Sequence, residues 1–186
     1  MSTKTKFPRE LALPVAEDLQ KILAPHCHRI AIAGSLRRQK SEVGDIEILF
    51  VPRFDERPDG LFDTRRIDVA SEVIDGLLAK GVLAQRPNVN GAFTWGERNK
   101  LAKHIPSGIP VDFFATTEEN WWVSLVIRTG SKETNMLLTT GANKQNASLR
   151  AYGCGVTWSD GTTTPATSEQ HVFEMCRVPY KGPAQR

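Results

Sequence analysis

Two carboxylates stand in an apolar run, Asp45-Ile-Glu-Ile-Leu-Phe-Val51. Isoleucine, leucine, phenylalanine and valine fill the rest of it, so it predicts a buried strand, stopped by Pro52. Side chains two apart on a strand share a face. Asp45 and Glu47 therefore point the same way and repel, and burying both without a partner is costly. A divalent cation removes the conflict, and Mg²⁺ takes such oxygen ligands together with substrate phosphates. Taken alone, an Asp-x-Glu pair is more often a solvated strand edge.

What surrounds the pair changes that reading. Arg29-Ile-Ala-Ile-Ala33 predicts another buried strand, and Gly34-Ser35 turns from it into a short helix through Leu36, Arg37 and Arg38. Free backbone N–H groups at a helix start, with the Ser35 hydroxyl, suit a phosphate. Gly34 lets the backbone come close with no Cβ in the way, and Arg38 adds a charged fork. Arg37 and Arg38 by themselves are surface charge. Asp112 stands in a third apolar strand, Ile109-Pro-Val-Asp-Phe-Phe-Ala115. Three acids on adjacent strands suit two ions about 4 Å apart, which clamp both oxygens of a phosphoryl displacement.

The other elements follow from periodicity. Leu11, Val15, Leu19, Ile22 and Leu23 predict a helix from Glu10 to Leu23, ended by Pro25, behind a loose polar arm over residues 1–9. Residues 53–65 read as a loop. Ile67, Ala70, Val73, Ile74, Leu77 and Leu78 form a helical stripe closed by Gly81. A hairpin is expected within 82–105, with Asn90-Gly91 as a turn. Thr116-Thr-Glu-Glu119 has the form of a capping box opening a helix with Trp121, Trp122, Leu125 and Val126, the two tryptophans as core. A helix from Lys132 to about Thr140 follows the Thr129-Gly130-Ser131 break. Strand pieces near Tyr152 and Val156 come next, then a second box at Thr167-Ser-Glu-Gln170 before a last helix. The fold class is α+β: a mixed sheet with flanking helices over residues 1–129, and a small α/β lobe over 130–186.

At 186 residues the chain is one ordinary domain or two small ones. Forty per cent hydrophobic and 24% charged residues exclude wholesale disorder. A net charge of +3 permits a nucleic-acid partner without demanding one. No apolar run reaches membrane-spanning length, and Met1–Lys6 has no apolar block behind its charge, so neither a membrane partner nor a secretory signal is expected. Cys27, Cys154 and Cys176 are too few and too widely spaced for a disulfide framework, and predict free thiols in a cytoplasmic protein. His26-Cys27-His28 invites a metal, but neighbours on a strand face opposite ways, and a loop or strand edge is the alternative.

Gly34-Ser35, Arg37-Arg38 and Gly44-Asp45-x-Glu47 resemble the nucleotidyltransferase signature of the polymerase beta-like enzymes, DNA polymerase family X. Ile109–Phe114 resembles the strand carrying that family's third carboxylate. Arg128-Thr-Gly-Ser131 with Asn135 resembles its segment between palm and thumb. Pro165–Phe173, Val178-Pro-Tyr180 and Gly182-Pro-Ala184 are similar to its C-terminal thumb. The first signature is shared by many nucleotidyltransferases, and the later segments are more specific.

The resemblance implies a nucleotidyltransferase palm over 1–129 and a thumb over 130–186. It implies that Asp45, Glu47 and Asp112 are catalytic and hold two Mg²⁺ ions, with Mn²⁺ as a substitute, and that Asp112 lies nearest the primer 3′-hydroxyl. Gly34, Ser35, Arg38 and Gly44 would hold a nucleoside triphosphate. Arg128, Gly130, Ser131 and Asn135 would line the sugar and the minor-groove edge, with an unusual peptide geometry at Gly130-Ser131. The implied activity is DNA polymerisation with pyrophosphate release, as in short-gap repair, by an intracellular monomer, a virus- or phage-encoded one included. Its partner is gapped or primer–template DNA.

The sequence departs from the family in several places. Glu47 stands where the polymerases have Asp, as in antibiotic nucleotidyltransferases. Val43 replaces a phosphate-binding Ser, Ile127-Arg128 replace an aromatic pair, and Thr139 replaces an Arg that touches the template. No lyase domain or hairpin DNA-binding module is recognised, so the expected form is palm and thumb alone, with DNA gripped by Lys100, Lys103, Lys132, Lys144 and Arg150. Two alternatives stand beside the polymerase: a transferase acting untemplated or on a small acceptor, and a degenerate member that binds nucleic acid without catalysis.

Overall fold

The computed structural model describes residues 5–60 and 63–186. In chain order it begins with the two-residue strand β1 (Phe7–Pro8) and helix α1 (Arg9–Leu23), which a single 3₁₀ turn carries into β2 (Cys27–Ile32). The short helix α2 (Gly34–Arg37), β3 (Glu42–Val43) and β4 (Ile46–Pro52) follow. Next come β5 (Phe54–Asp59), β6 (Asp63–Asp68), α3 (Val69–Ala79), β7 (Leu83–Gln85), β8 (Asn99–His104) and β9 (Pro110–Ala115). Helices α4 (Trp121–Thr129) and α5 (Lys132–Asn143) lead to β10 (Ala147–Leu149), β11 (Gly155–Trp158), β12 (Thr163–Pro165) and α6 (Glu169–Met175). None of the described helices is long and apolar enough to cross a membrane.

The main sheet runs β2-β4-β9-β8-β7, with β4 and β9 parallel and the other neighbours antiparallel. Alternation along β4 gives it two apolar faces. Ile46, Ile48 and Phe50 turn one way, with Val111 and Phe113 of β9, into a core closed by Ala12, Ala16, Leu19 and Leu23 of α1 and Ala70 and Ile74 of α3. Leu49, Val51 and Phe114 turn the other way, against Trp121 and Leu125 of α4. Helix α4 thus covers only part of that second face. Its other side, Val123 and Val126, enters a separate core with Leu138, Ala142, Val156, Val172, Phe173 and Cys176. The three-stranded sheet β10-β11-β12 and helices α5 and α6 surround that core. Gly141, inside α5, has a packing reason: a Cβ there would lie 2.1 Å from the Cys176 carbonyl oxygen.

Several expectations are corrected. The stretch 53–65 is no loop: β5 and β6 pair antiparallel from Phe54↔Asp68 to Asp59↔Asp63, although Leu61 and Phe62 lie outside the described residues. Its alternating charges hid a hairpin exposed along most of its length, which carries no apolar face for a pattern to reveal. Ile67 belongs to β6, and α3 starts at Val69, where Asp68 accepts the Ser71 N–H at 2.8 Å. The Thr116–Glu119 box does not cap a helix. Thr116 instead donates its N–H to the Phe50 carbonyl and shares a 2.8 Å hydrogen bond with Ser124, so α4 opens about one turn later, at Trp121. In the second box Ser168, not Thr167, is the cap, accepting from the His171 N–H at 3.0 Å. The arm is not loose throughout. Residues 1–4 lie outside the described residues, but Phe7 pairs with Val43 and packs on the main core.

Candidate active site

The register places the carboxylates. Glu47 on β4 stands directly beside Asp112 on β9, and Asp112 is directly opposite Leu101 on β8. Asp45 lies one residue before β4. Glu47 and Asp112 share a face with Leu49 and Phe114, the side of the sheet that α4 covers in part.

Burial pushes the Glu47 carboxyl up to about 7, and the charges of Asp45 and then Asp112 push the same way, against a partial offset from Arg128 and Arg38. The three acids therefore feel one another. Among the described residues, no three His, Cys, Asp or Glu side chains are gathered closely enough to hold a metal ion as they stand. Glu47 leans back over Gly34, where a Cβ would meet its Oε2 at 1.7 Å, and Asp112 is engaged by the Arg86 guanidinium. The donor set still fits a hard divalent cation: it is all carboxylate oxygen, and its mutual repulsion is what such a cation relieves.

Gly34 has φ +60°, a conformation that suits glycine, so both its backbone and its missing Cβ make room for Glu47. Beside Glu47 opens a cleft of about 420 Å³ between α2, α4 and α5. Arg38, Arg128 and Lys132 bring three positive charges to its wall, and Ile127, Asn135, Met136 and Thr139 complete the side toward α5. Of the expected nucleotide contacts, Arg38, Arg128, Gly130 and Asn135 line this cleft. Gly34, Ser35, Gly44 and Ser131 do not: Glu47 covers Gly34, and Ser131 caps α5 by accepting the Thr134 N–H.

Arg38 donates to the Thr129 carbonyl, and its Nε is buried without a protein partner. Asn135 commits its Nδ2 to the Ile127 carbonyl at 2.8 Å. Arg128 lies 3.6 Å from the Phe114 ring centre and donates to the Tyr152 hydroxyl at 2.8 Å, which donates in turn to Asn99 Oδ1 at 3.0 Å. The Gly130–Ser131 peptide is cis. Lys132 and Lys144 are exposed, as are Lys103 and Arg150, but Lys100 is buried against Trp95 and donates to the Gly96 carbonyl at 3.3 Å, so it is withdrawn from any exposed basic face.

Sequence reasoning missed the junction between the lobes. Arg37 grips Glu169 of α6 with both nitrogens, at 2.8 and 2.6 Å, and donates to Thr129 Oγ1 at 2.7 Å. Arg186 donates to the same Glu169 at 3.2 Å. Nothing in the adjacent pair Arg37-Arg38 distinguishes a junction residue from a cleft residue. The missed Arg86 lacks a sequence signal too: its partner is two strands away.

Residues 124–186 match the DNA polymerase beta thumb family. Over 184 residues the chain is 25% identical to the DNA polymerase/3′-5′ exonuclease PolX of Bacillus subtilis, covering 97% of this chain. The chain is thus similar to the polymerase beta thumb over its C-terminal third and to a PolX enzyme along nearly its whole length. It spans 28% of the length of that curated relative. Its fold is that of the Leishmania infantum polymerase beta, solved as a ternary P/T complex, with TM-score 0.70, 17% identity, and 98% of this chain and 77% of that one covered. The segment that matches the thumb family begins at Ser124 within α4 and takes in the whole C-terminal lobe.

Proposed function

We propose that this chain is a member of DNA polymerase family X and a metal-dependent DNA polymerase of the gap-filling kind, adding a nucleotide to a primer 3′-hydroxyl and releasing pyrophosphate. The observation that carries the reading is the register of Glu47 against Asp112 at the edge of a cationic cleft. The division into a palm over 1–129 and a thumb over 130–186 belongs to the same reading.

Asp45, Glu47 and Asp112 would hold two Mg²⁺ ions. Bound there, the ions supply charge neutralisation for the attacking and leaving oxygens. The protein's own groups do the rest. Arg38 and Lys132 bind the triphosphate tail and accept its growing negative charge as pyrophosphate departs. Asp112 accepts the proton of the primer hydroxyl as its oxygen attacks the α-phosphate in line. Asn135 and Ile127 orient the sugar and base edge. Arg128, steadied by Phe114 and Tyr152, holds a phosphate or base at the mouth. Exposed Lys103, Lys144 and Arg150 supply phosphate contacts to DNA, making affinity fall steeply with salt.

One observation favours untemplated addition as a second reading. Thr139 spends its hydroxyl on the carbonyls of its own helix, Asn135 at 3.0 Å and Met136 at 3.1 Å, and so has no hydroxyl proton left to donate to a template base. A one-nucleotide gapped duplex with each template base in turn, Mg²⁺ and labelled nucleotides separates the two. Extension by the matching nucleotide alone supports gap filling. Equal extension by all four supports untemplated transfer, and no incorporation with retained duplex binding contradicts both.

A further inference from the structure

The row that carries the carboxylates continues to the sheet's edge, and its last member is an arginine. Glu47 stands beside Asp112, Asp112 opposite Leu101, and the Arg86 N–H donates to the Leu101 carbonyl at 3.1 Å. Arg86 therefore sits just past the end of β7 in register with the row. Its side chain reaches over Leu101, and Nη2 pairs with Asp112 Oδ1. Both side chains are largely withdrawn from solvent, 25% and 13% exposed. On its own side the guanidinium has one further contact, Nη1 to the Pro87 carbonyl at 3.4 Å, while Nε is buried without a hydrogen-bond partner among the described residues.

We propose that Arg86 is a positioning residue for the reaction assigned above, a role that rests on that reading. Pinning one carboxylate oxygen fixes the plane of the group, and so fixes where its other oxygen points. Asp112 is the acid placed nearest the primer hydroxyl, so its plane decides whether that oxygen faces the reacting atoms. Arg86 is also a fixed positive charge at the end of a row otherwise set by mutual repulsion, and it stands outside the nucleotide cleft. Losing it should lower turnover and leave nucleotide binding alone.

The variants Arg86→Gln and Arg86→Lys test this on the full chain with a one-nucleotide gapped duplex and Mg²⁺. Arg86→Gln is expected to lower kcat about 10- to 100-fold with KM for the nucleotide within about twofold, and Arg86→Lys to restore most of the loss. Unchanged kcat overturns the proposal, as does a loss that appears in KM or in duplex affinity measured by fluorescence anisotropy. A second readout needs no turnover. Arg86→Gln should lower the Tm of the otherwise unaltered protein and have no further effect in an Asp112→Asn background; additive effects overturn the pairing. A protein that incorporates nothing sinks the polymerase reading, while this cycle still reports on Arg86 and Asp112.

Discussion

Glu47 and Glu169 are both largely withdrawn from solvent, and their surroundings treat them in opposite ways. Burial pushes Glu169 up, but the two hydrogen bonds and charge of Arg37, with Arg186, hold it below the usual carboxylate range. Burial, then repulsion from Asp45 and Asp112, lifts Glu47 to about 7 despite the opposing charges of Arg128 and Arg38. The lobe junction is electrically complete within the chain. At Glu47 the nearby charge is offset only in part, and such a conflict is typical of a functional site. One acid is matched by two arginines across the junction, and the other is left with more repulsion and burial than its arginines offset.

The largest expected effect breaks the complete site. Glu169→Ala leaves Arg37 and Arg186 facing each other with no acid between them, and should cost about 3–5 kcal/mol in urea unfolding. A smaller loss than Glu47→Ala causes would undo the comparison.

Next in size is a pH dependence of opposite sign at the two sites. Glu47 binds its proton more tightly when folded, at about 7 against an unfolded value near 4.5. Its contribution is complete below about pH 4.5 and is lost as pH rises through about 7, a loss on the order of 3 kcal/mol. Thermal melts of the chelator-treated protein should show this decline, Glu47→Gln should flatten it, and added Mg²⁺ should raise Tm most at pH 8. The Glu169 contribution runs the other way, present above the ordinary carboxylate range and lost in acid. A wild-type profile that is flat from pH 5 to 8 contradicts the charge conflict.

Smallest is Gly34→Ala. The left-handed backbone costs about 1–2 kcal/mol for a residue with a Cβ, and that Cβ takes the space of Glu47 Oε2. Incorporation should fall well beyond what the stability loss explains. Wild-type activity in this variant would mean that Glu47 does not need its present seat.

Much of this was legible in the sequence, for physical reasons. Strands β4 and β9 announce themselves because an acid in an apolar run has few explanations, and α1 because its stripe repeats at helical spacing. The β5–β6 hairpin was not legible, since an exposed ribbon has no buried face to impose a period. The opening of α4 was misplaced because Thr116 had a better partner in β4 than in the helix, a competition that propensity does not register. Within the site, Asp45, Glu47, Asp112 and Arg38 could be read from local pattern. Arg37 and Arg86 could not, because their partners Glu169 and Asp112 lie 132 and 26 residues away.

Nucleotidyl transfer by the Asp45, Glu47 and Asp112 row, as proposed, makes Asp112 indispensable. Its most direct test is single-nucleotide extension in a gapped duplex by the wild type and Asp112→Ala side by side, with Mg²⁺ and with folding checked by circular dichroism. The wild type should extend the primer and release pyrophosphate. The folded variant should extend it about a thousandfold more slowly, the equivalent of several kcal/mol of lost transition-state stabilisation. A folded variant that extends the primer as fast as the wild type would contradict it.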